Sequence, residues 1–329
     1  MSETLRAALA SCLSRAKSAD VEVVSVTALS GGAASESYAV DAKLDGDEQR
    51  FVLQRSLGEG ELARTMSRAT QARLQLAVET ARVPVPPIVH ILEPLDDLGE
   101  GFIMTFMDGE TLAPRYLRDP RYDTARQALT GQAAHALAAT HAVDLDTLPT
   151  LQRLDAPAQL AALRDTYDGV GGSVPIFEIA FHHLGARLTP AAVPVLVHGD
   201  FRSGNFIVDT DGLRAVLDWE LAHIGDPRLD IGWLSTNTWR FGNWEKPVGG
   251  FGDRQAFLAA YAKAGGARFT SEEILPFEML GSLRWGVMCL QMAAAHLDGS
   301  AASVERAAIG RRVSETEADL LYMLRYGPL

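Results

Sequence analysis

Residues 195–220, VLVHGDFRSGNFIVDTDGLRAVLDWE, carry the pattern on which the reading of the fold turns. His198, Asp200, Asn205 and Asp218 stand at the ends of runs that otherwise read as buried strand. Charged groups rarely enter a core unless they are paired, hydrogen-bonded or bound to a metal. NFIV and LRAVLDW are strand-like runs joined by DTDG, whose Asp and Gly suit a hairpin turn. A hairpin brings Asn205, before its first strand, and Asp218, after its second, to the same open end. Asp200 lies on the loop that enters it. Two carboxylates and an amide oxygen then converge, a set of hard oxygens that can hold Mg²⁺ and leave positions for water and phosphate. One carboxylate remains to accept a proton from an attacking hydroxyl. Burying the same three groups without a cation would carry desolvation and like-charge repulsion.

The 329 residues around this stretch suffice for one large domain or two lobes with separate cores. A hydrophobic fraction of 47% and a charged fraction of 22% are those of a soluble globular protein. The net charge of −12 argues against nucleic-acid binding, which needs a basic face. WGVMCLQMAAAHL is too short and too polar to span a bilayer, so no membrane association is expected. The first residues lack the apolar run of a secretory signal, and Leu5, Leu9 and Leu13 mark one face of an amphipathic helix. A cytoplasmic protein is expected. The two cysteines, Cys12 and Cys289, read as buried free thiols.

Towards the N-terminus, VEVVSVTAL, SYAVDAKL and RFVLQRSL read as strands of a meander with a glycine-led turn, GGAASES, between the first two. A helix is expected from about Glu61 to Thr80, with Leu62, Met66, Ala69 and Leu76 on one side, ended by the Pro-rich RVPVPPIV. GFIMTFMDGETL reads as one more strand and a turn. Beyond it RQALTGQAAHALAATHAVDL, APAQLAALRDTYDGV, RQAFLAAYAKAGG and FEMLGSLRWGVMCLQMAAAHL carry helical periodicity. The expectation is a small β-rich unit over 1–106, a short connection, and a larger helical unit over 107–329 that contains the hairpin. A small ligand would bind between them.

The motif HGD-x4-N, followed by a hairpin and D-W-E, resembles the aminoglycoside phosphotransferase and choline kinase family. GDPRLDIGWL resembles the segment that follows the metal-binding Asp there. The branch it is most similar to is that of kinase-like domains fused to some acyl-CoA dehydrogenases. The resemblance implies an α+β, protein-kinase-like fold of two lobes. It further implies an ATP- and Mg²⁺-dependent phosphotransferase acting on a hydroxyl of a small molecule. In that family the matching positions make Asp200 the acceptor of the hydroxyl proton, and Asn205 and Asp218 the ligands of Mg²⁺. Asp230 becomes a brace on the catalytic-loop backbone and His198 a packed supporting residue. LSGGAASESYAV resembles the phosphate loop, with Gly31 and Gly32 close to phosphate. FIMTFMDGETL resembles the hinge, where the backbone near Thr105 and Met107 meets adenine.

The departure lies in FVLQRSL. The family carries Lys or Arg on this strand, paired to a helix Glu, to touch the phosphates. Here the register offers Gln54, with Arg55 on the opposite face, and Gln71 stands where the Glu should fall. Gln54 and Gln71 could hydrogen-bond each other, Arg55 could enter through a bulge, or Arg64 or Arg73 could help. A catalytically impaired nucleotide- or ligand-binding protein is therefore the alternative reading, and an antibiotic-modifying kinase a further one. Other chemistries fail on spacing. His198, Asp200 and Ser203 crowd into one loop without a G-x-S-x-G elbow, and no G-x4-G-K-[ST] loop occurs.

Overall fold

A computed structural model gives the structure of the chain and describes residues 3–29, 36–56 and 66–329. Gly31, Gly32 and Arg64 lie outside the described residues. Helix α1 (Glu3–Lys17) buries Leu5, Leu9, Cys12 and Leu13. Each such leucine contributes roughly 2 kcal/mol by leaving water. It packs on β1 (Val21–Ala28), which begins an antiparallel sheet with β2 (Glu36–Leu44) and β3 (Asp47–Ser56). Helix α2 (Arg68–Thr80) follows, and then β4 (Ile88–Ile91) and β5 (Glu100–Thr105) complete the sheet in the order β1-β2-β3-β5-β4.

The period of two sorts the sheet's side chains onto two faces. Phe51, Leu53 and Ile103 join the α1 core, while Val52, Phe102 and Met104 pack with Ala72 of α2. Gln54 shares the face of Val52, and Arg55 shares that of Leu53. Helix α2 begins at Arg68 rather than near Glu61 and is capped by Ser67, whose hydroxyl accepts from the Thr70 N–H; residues 61–65 lie outside the described residues. Its inward face is not the one expected. Arg68, Gln71, Ala72, Leu74, Gln75 and Val78 are buried, whereas Leu76 is 41% exposed. Polar residues hold the inner stripe, so counting apolar residues misphases the helix by part of a turn.

After β5 the chain is stapled to the second lobe. Glu110 and Val208 exchange backbone hydrogen bonds of 2.8 and 3.0 Å. Gly109 must be glycine there, since its φ is +154° and a Cβ would meet Ile207 Cγ2 at 2.4 Å. The second lobe opens with α3 (Ala113–Tyr116), α4 (Asp123–His141), α5 (Ala156–Gly169) and α6 (Pro175–Gly185). Four short strands interrupt the helices: β6 (Val195–Val197), β7 (Phe206–Val208), β8 (Leu213–Val216) and β9 (His223–Gly225). β7 and β8 form the expected hairpin, with Phe206 opposite Val216, and β6 pairs with β9. The remainder is α7 (Arg228–Ser235), α8 (Arg254–Lys263), α9 (Ser271–Leu297), α10 (Val304–Gly310) and α11 (Val313–Tyr326). Leu129, Ala133 and Leu137 of α4 pack under the hairpin against Phe206, Val216 and Trp219. Tyr167, Phe177, Phe181 and Leu283 form a second core, which absorbs the aromatics of α6. Both cysteines are buried and free.

Candidate active site

Strand β6 delivers the chain into His198, Gly199 and Asp200. Gly199 has φ +81°, and a Cβ on it would lie 2.3 Å from the Leu221 carbonyl oxygen, so the turn admits only glycine. The loop is tied down from beneath by Asp230 of α7. That carboxylate accepts the backbone N–H groups of His198 and Gly199 at 2.8 and 2.9 Å, and His141 Nε2 lies 3.1 Å away. Burial opposes its ionisation, but the hydrogen bonds from His141 and the loop win and hold its pKa below the ordinary range. His198 is buried and its pKa is pulled down by desolvation. The neutral ring donates from Nε2 to the Leu217 carbonyl at 3.0 Å and accepts the Asp200 N–H on Nδ1 at 3.1 Å. It thereby joins the loop to the end of β8.

Asp200 is oriented from three sides. Its Oδ1 accepts Trp233 Nε1 at 2.6 Å, its Oδ2 accepts Asn205 Nδ2 at 2.6 Å, and Arg202 Nε lies 3.0 Å from Oδ1. Arg202 also lies over the Trp239 ring, 4.4 Å from its centroid. Asn205 Nδ2 donates a second bond to the Asp200 carbonyl at 2.9 Å. The amide nitrogen is thus turned towards Asp200, and Oδ1 remains as an acceptor. The Leu217 N–H donates to the Asn205 carbonyl at 2.8 Å, which fixes Asp218 beside it at the hairpin's open end.

Asp218 takes the left-handed conformation at φ 66°, one that Asp tolerates better than most residues. It opens to the cleft and so is accessible, yet protein surrounds it on most sides and strips its hydration. Desolvation, then repulsion from Glu220 and Asp200, push its pKa up to about 6, against the pull of Arg202 and Arg68. An amide oxygen beside a cleft-facing carboxylate crowded by two more is a donor set that suits a hard divalent cation.

The upper wall of the cleft departs from the pattern expected of a strand cation. Gln54 Oε1 is buried without a hydrogen-bond partner among the described residues. Gln71 does not bond to Gln54; its Oε1 accepts Arg68 Nη1 at 2.6 Å. Arg55 is not brought across, because pairing to β2 and β5 continues without a bulge through it. Its guanidinium lies 3.0 Å from Glu36 and over the Tyr38 ring on the far face. Arg73 is exposed. Thr105 closes β5, its N–H donating to the Pro87 carbonyl at 2.9 Å, and Met107 follows it, half-buried, on the connection.

A cavity of about 350 Å³ opens beside the loop between α2, α5 and α9. Leu163, Leu280, Thr70, Gln159, His223 and Arg284 contribute to its wall, which reaches Gly199 and carries no carboxylate among the described residues. Burial pulls the His223 pKa down, and its Nε2 lies 2.9 Å from Gln159 Nε2. Arg284 donates to the Gly199 carbonyl at 3.0 Å and lies 4.3 Å over the Trp233 ring.

Sequence reasoning missed four residues of this site. Arg202 and Trp233 stood inside the quoted motifs and were passed over for their acidic neighbours. Arg284 was hidden in an apolar helix. Arg68 gave no signal once α2 was misphased.

A loop carrying Asp200 and Asn205, a hairpin ending in Asp218, and a five-stranded lobe above them define a two-lobed α+β protein with the protein-kinase-like fold. The sequence model of the Phosphotransferase enzyme family matches residues 25–267, and the chain belongs to that family. Among curated proteins it is 29% identical over 175 residues to acyl-CoA dehydrogenase family member 10 of Mus musculus. That match covers 48% of this chain and 16% of the mouse protein. It is 28% identical over 171 residues to family member 11 of Gallus gallus, covering 49% of this chain and 22% of that protein. The chain therefore spans a minor part of these relatives. Solved structures share the fold. A suggested aminoglycoside phosphotransferase from Ralstonia eutropha has a TM-score of 0.72 at 20% identity, covering 94% of this chain and 95% of its own. A choline/ethanolamine kinase family protein from Mesorhizobium loti has 0.61 at 18%, covering 90% and 88%. An aminoglycoside phosphotransferase in ternary complex with AMP-PNP and hygromycin B has 0.62 at 18%, covering 96% and 98%. No helix among the described residues is long and apolar enough to cross a membrane.

Proposed function

We propose that the chain moves the γ-phosphoryl group of ATP to a hydroxyl of a small molecule, with Mg²⁺ held by Asn205 Oδ1 and Asp218. The observation that carries this is the 2.6 Å closure of Asn205 on Asp200 beside the hairpin end that bears Asp218. In-line transfer needs positioning and charge neutralisation more than covalent chemistry. Asp200, fixed by Trp233 and Arg202, takes the hydroxyl proton as that oxygen bonds to the γ-phosphorus. The bond to the β–γ bridging oxygen breaks, and ADP leaves. Arg202, held between Asp200 and Trp239, faces the charge on the transferring group. Bound Mg²⁺ would neutralise charge on the nucleotide phosphates. Residues 1–106 would form the nucleotide lobe, with the backbone near Thr105 and Met107 meeting adenine and Gly31 and Gly32 covering phosphate. Residues 107–329 would hold the acceptor.

The acceptor fits the cavity beside Gly199. A wall whose described residues include Leu163, Leu280 and Arg284 but no carboxylate suits an uncharged or anionic hydroxyl compound with an apolar body. A polycationic antibiotic finds no counter-charge among those described residues. Transfer of labelled γ-phosphate from Mg·ATP to a panel of hydroxylated metabolites and aminoglycosides tests the reading. Asp200→Ala is expected to abolish it and leave nucleotide binding intact, and undiminished transfer in that variant would sink the assignment. The neutral pair Gln54 and Gln71 supports a second reading, a nucleotide-binding protein with impaired transfer. Nucleotide binding without transfer to any acceptor would favour that one.

A further inference from the structure

We propose that Arg68, at the start of α2, is the cation that grips the nucleotide phosphates, in place of one on β3. This rests on the reading above that the nucleotide occupies the cleft. The cleft face of β3 presents a neutral amide, Gln54, and the neighbouring Arg55 faces away and is engaged with Glu36. Transfer from a polyanion still requires positive charge above the phosphates.

Arg68 supplies it from the helix. Its side chain is only 4% exposed and points into the protein rather than to solvent. Nη1 donates to Gln71 Oε1 at 2.6 Å, so Gln71, on the turn that would otherwise carry an anchoring carboxylate, positions this guanidinium instead. The same Nη1 lies 3.6 Å from Glu220 Oε2, beyond ordinary hydrogen-bond length. Glu220 stands two residues past Asp218, so the guanidinium is directed at the hairpin end, where phosphates on a metal at Asp218 would lie. Among the described residues, cation and carboxylate have in effect exchanged elements: a cation is on α2, and a carboxylate facing it is on the segment after β8. The planar fork of a guanidinium can hold two phosphate oxygens at once, which an ammonium cannot.

The test is calorimetric titration of the whole chain with Mg·ATP, Mg·ADP and adenosine. Arg68→Gln is expected to weaken both phosphorylated ligands by about 10- to 100-fold and to leave adenosine unchanged, the range for losing a charge-assisted hydrogen-bonded pair. The exposed Arg214→Gln, which removes the same charge elsewhere, should bind all three as the wild type does. Arg68→Gln combined with Gln54→Lys, which returns a cation to the strand, should recover at least half of the lost binding on a logarithmic scale. If Arg68→Gln fails to fold, the near-isosteric Arg68→Met takes its place with the same expectation. Equal ATP affinity in wild type and the neutral variant overturns the proposal while leaving the nucleotide reading standing. Failure of the wild-type chain to bind either phosphorylated ligand, with or without Mg²⁺, overturns that reading and this proposal with it.

Discussion

The two walls of the cleft are built on different terms. On the lower wall, Asp200 is held by Trp233, Arg202 and Asn205, and the loop carrying it hangs on Asp230. Apart from the Trp233 indole, which comes from α7, each contact is backbone-directed or passes from one member of the loop to the next. On the upper wall Gln54 of β3 is neutral, and among the described residues a guanidinium reaches towards the hairpin end from another element, Arg68 of α2. A loop whose geometry arises from its own backbone can be kept only as a unit. A positive charge acts through position alone and can be delivered by any element that reaches. The lower wall should therefore tolerate almost no substitution, and the upper wall should tolerate rearrangement.

The largest expected effect is at Asp200. Asp200→Asn keeps an acceptor for Trp233 but loses the base. Phosphoryl transfer should fall by about 10²- to 10⁴-fold, with Mg·ATP affinity changed less than about threefold. Comparable losses of affinity and rate would mean that Asp200 serves binding rather than proton transfer, and the contrast between the walls would blur.

Asp230 comes next, and its effect is on stability. Asp230→Ala leaves the His198 and Gly199 N–H groups buried without their acceptor. Each such orphan costs about 1–3 kcal/mol, so a loss of about 2–5 kcal/mol in urea unfolding is expected, accompanied by loss of transfer. Unchanged stability would show that the loop holds its shape without the brace.

The lower wall was legible from residue order because its chemistry is local. Asp200 and Asn205 share one loop, and DTDG announces the hairpin that returns Asp218 to them. Strands β1 and β2 and helix α1 were legible too, from β-branched runs and the Leu5, Leu9, Leu13 spacing. The upper wall was not legible. Periodicity assumes that apolar residues mark the buried face, and α2 buries Arg68, Gln71 and Gln75 while exposing Leu76. Alternation alone correctly sets Arg55 on the far face of β3. Strand β9, paired with β6 beside Ile224, is too short to leave a pattern. The wall of the cavity beside Gly199 joins segments from α2, α5 and α9, and no local motif links elements so far apart.

The smallest expected effect compares the two buried carboxylates that brace the lobes. Asp230 holds the loop that carries Asp200, whereas Asp96 ties α1 to the turn before β5. Its oxygens take the Glu93 N–H at 2.7 Å and His90 Nε2 at 2.9 Å, and Arg15 closes on it as well. Cys12, His90 and Asp96 bring metal-type donor atoms within 4.8 Å of one another, but Arg15 already occupies the carboxylate. Cys12 stays protonated, its thiol pushed up to about 12 by burial beside Asp96. Burial alone would raise Asp96. The Glu93 N–H, His90 and Arg15 outweigh it and bring the pKa down to about 2. A carboxyl depressed in the folded state stabilises fully above its unfolded value near 4, and that contribution is lost as pH falls towards 2. Asp96→Asn should therefore cost about 1–3 kcal/mol at neutral pH. The gap between variant and wild type should shrink in urea unfolding at about pH 3, because the unfolded wild type then takes up a proton that the folded carboxylate still lacks. A gap equally wide at both pH values would mean that Asp96 braces the N-terminal lobe through shape alone, as a neutral acceptor would.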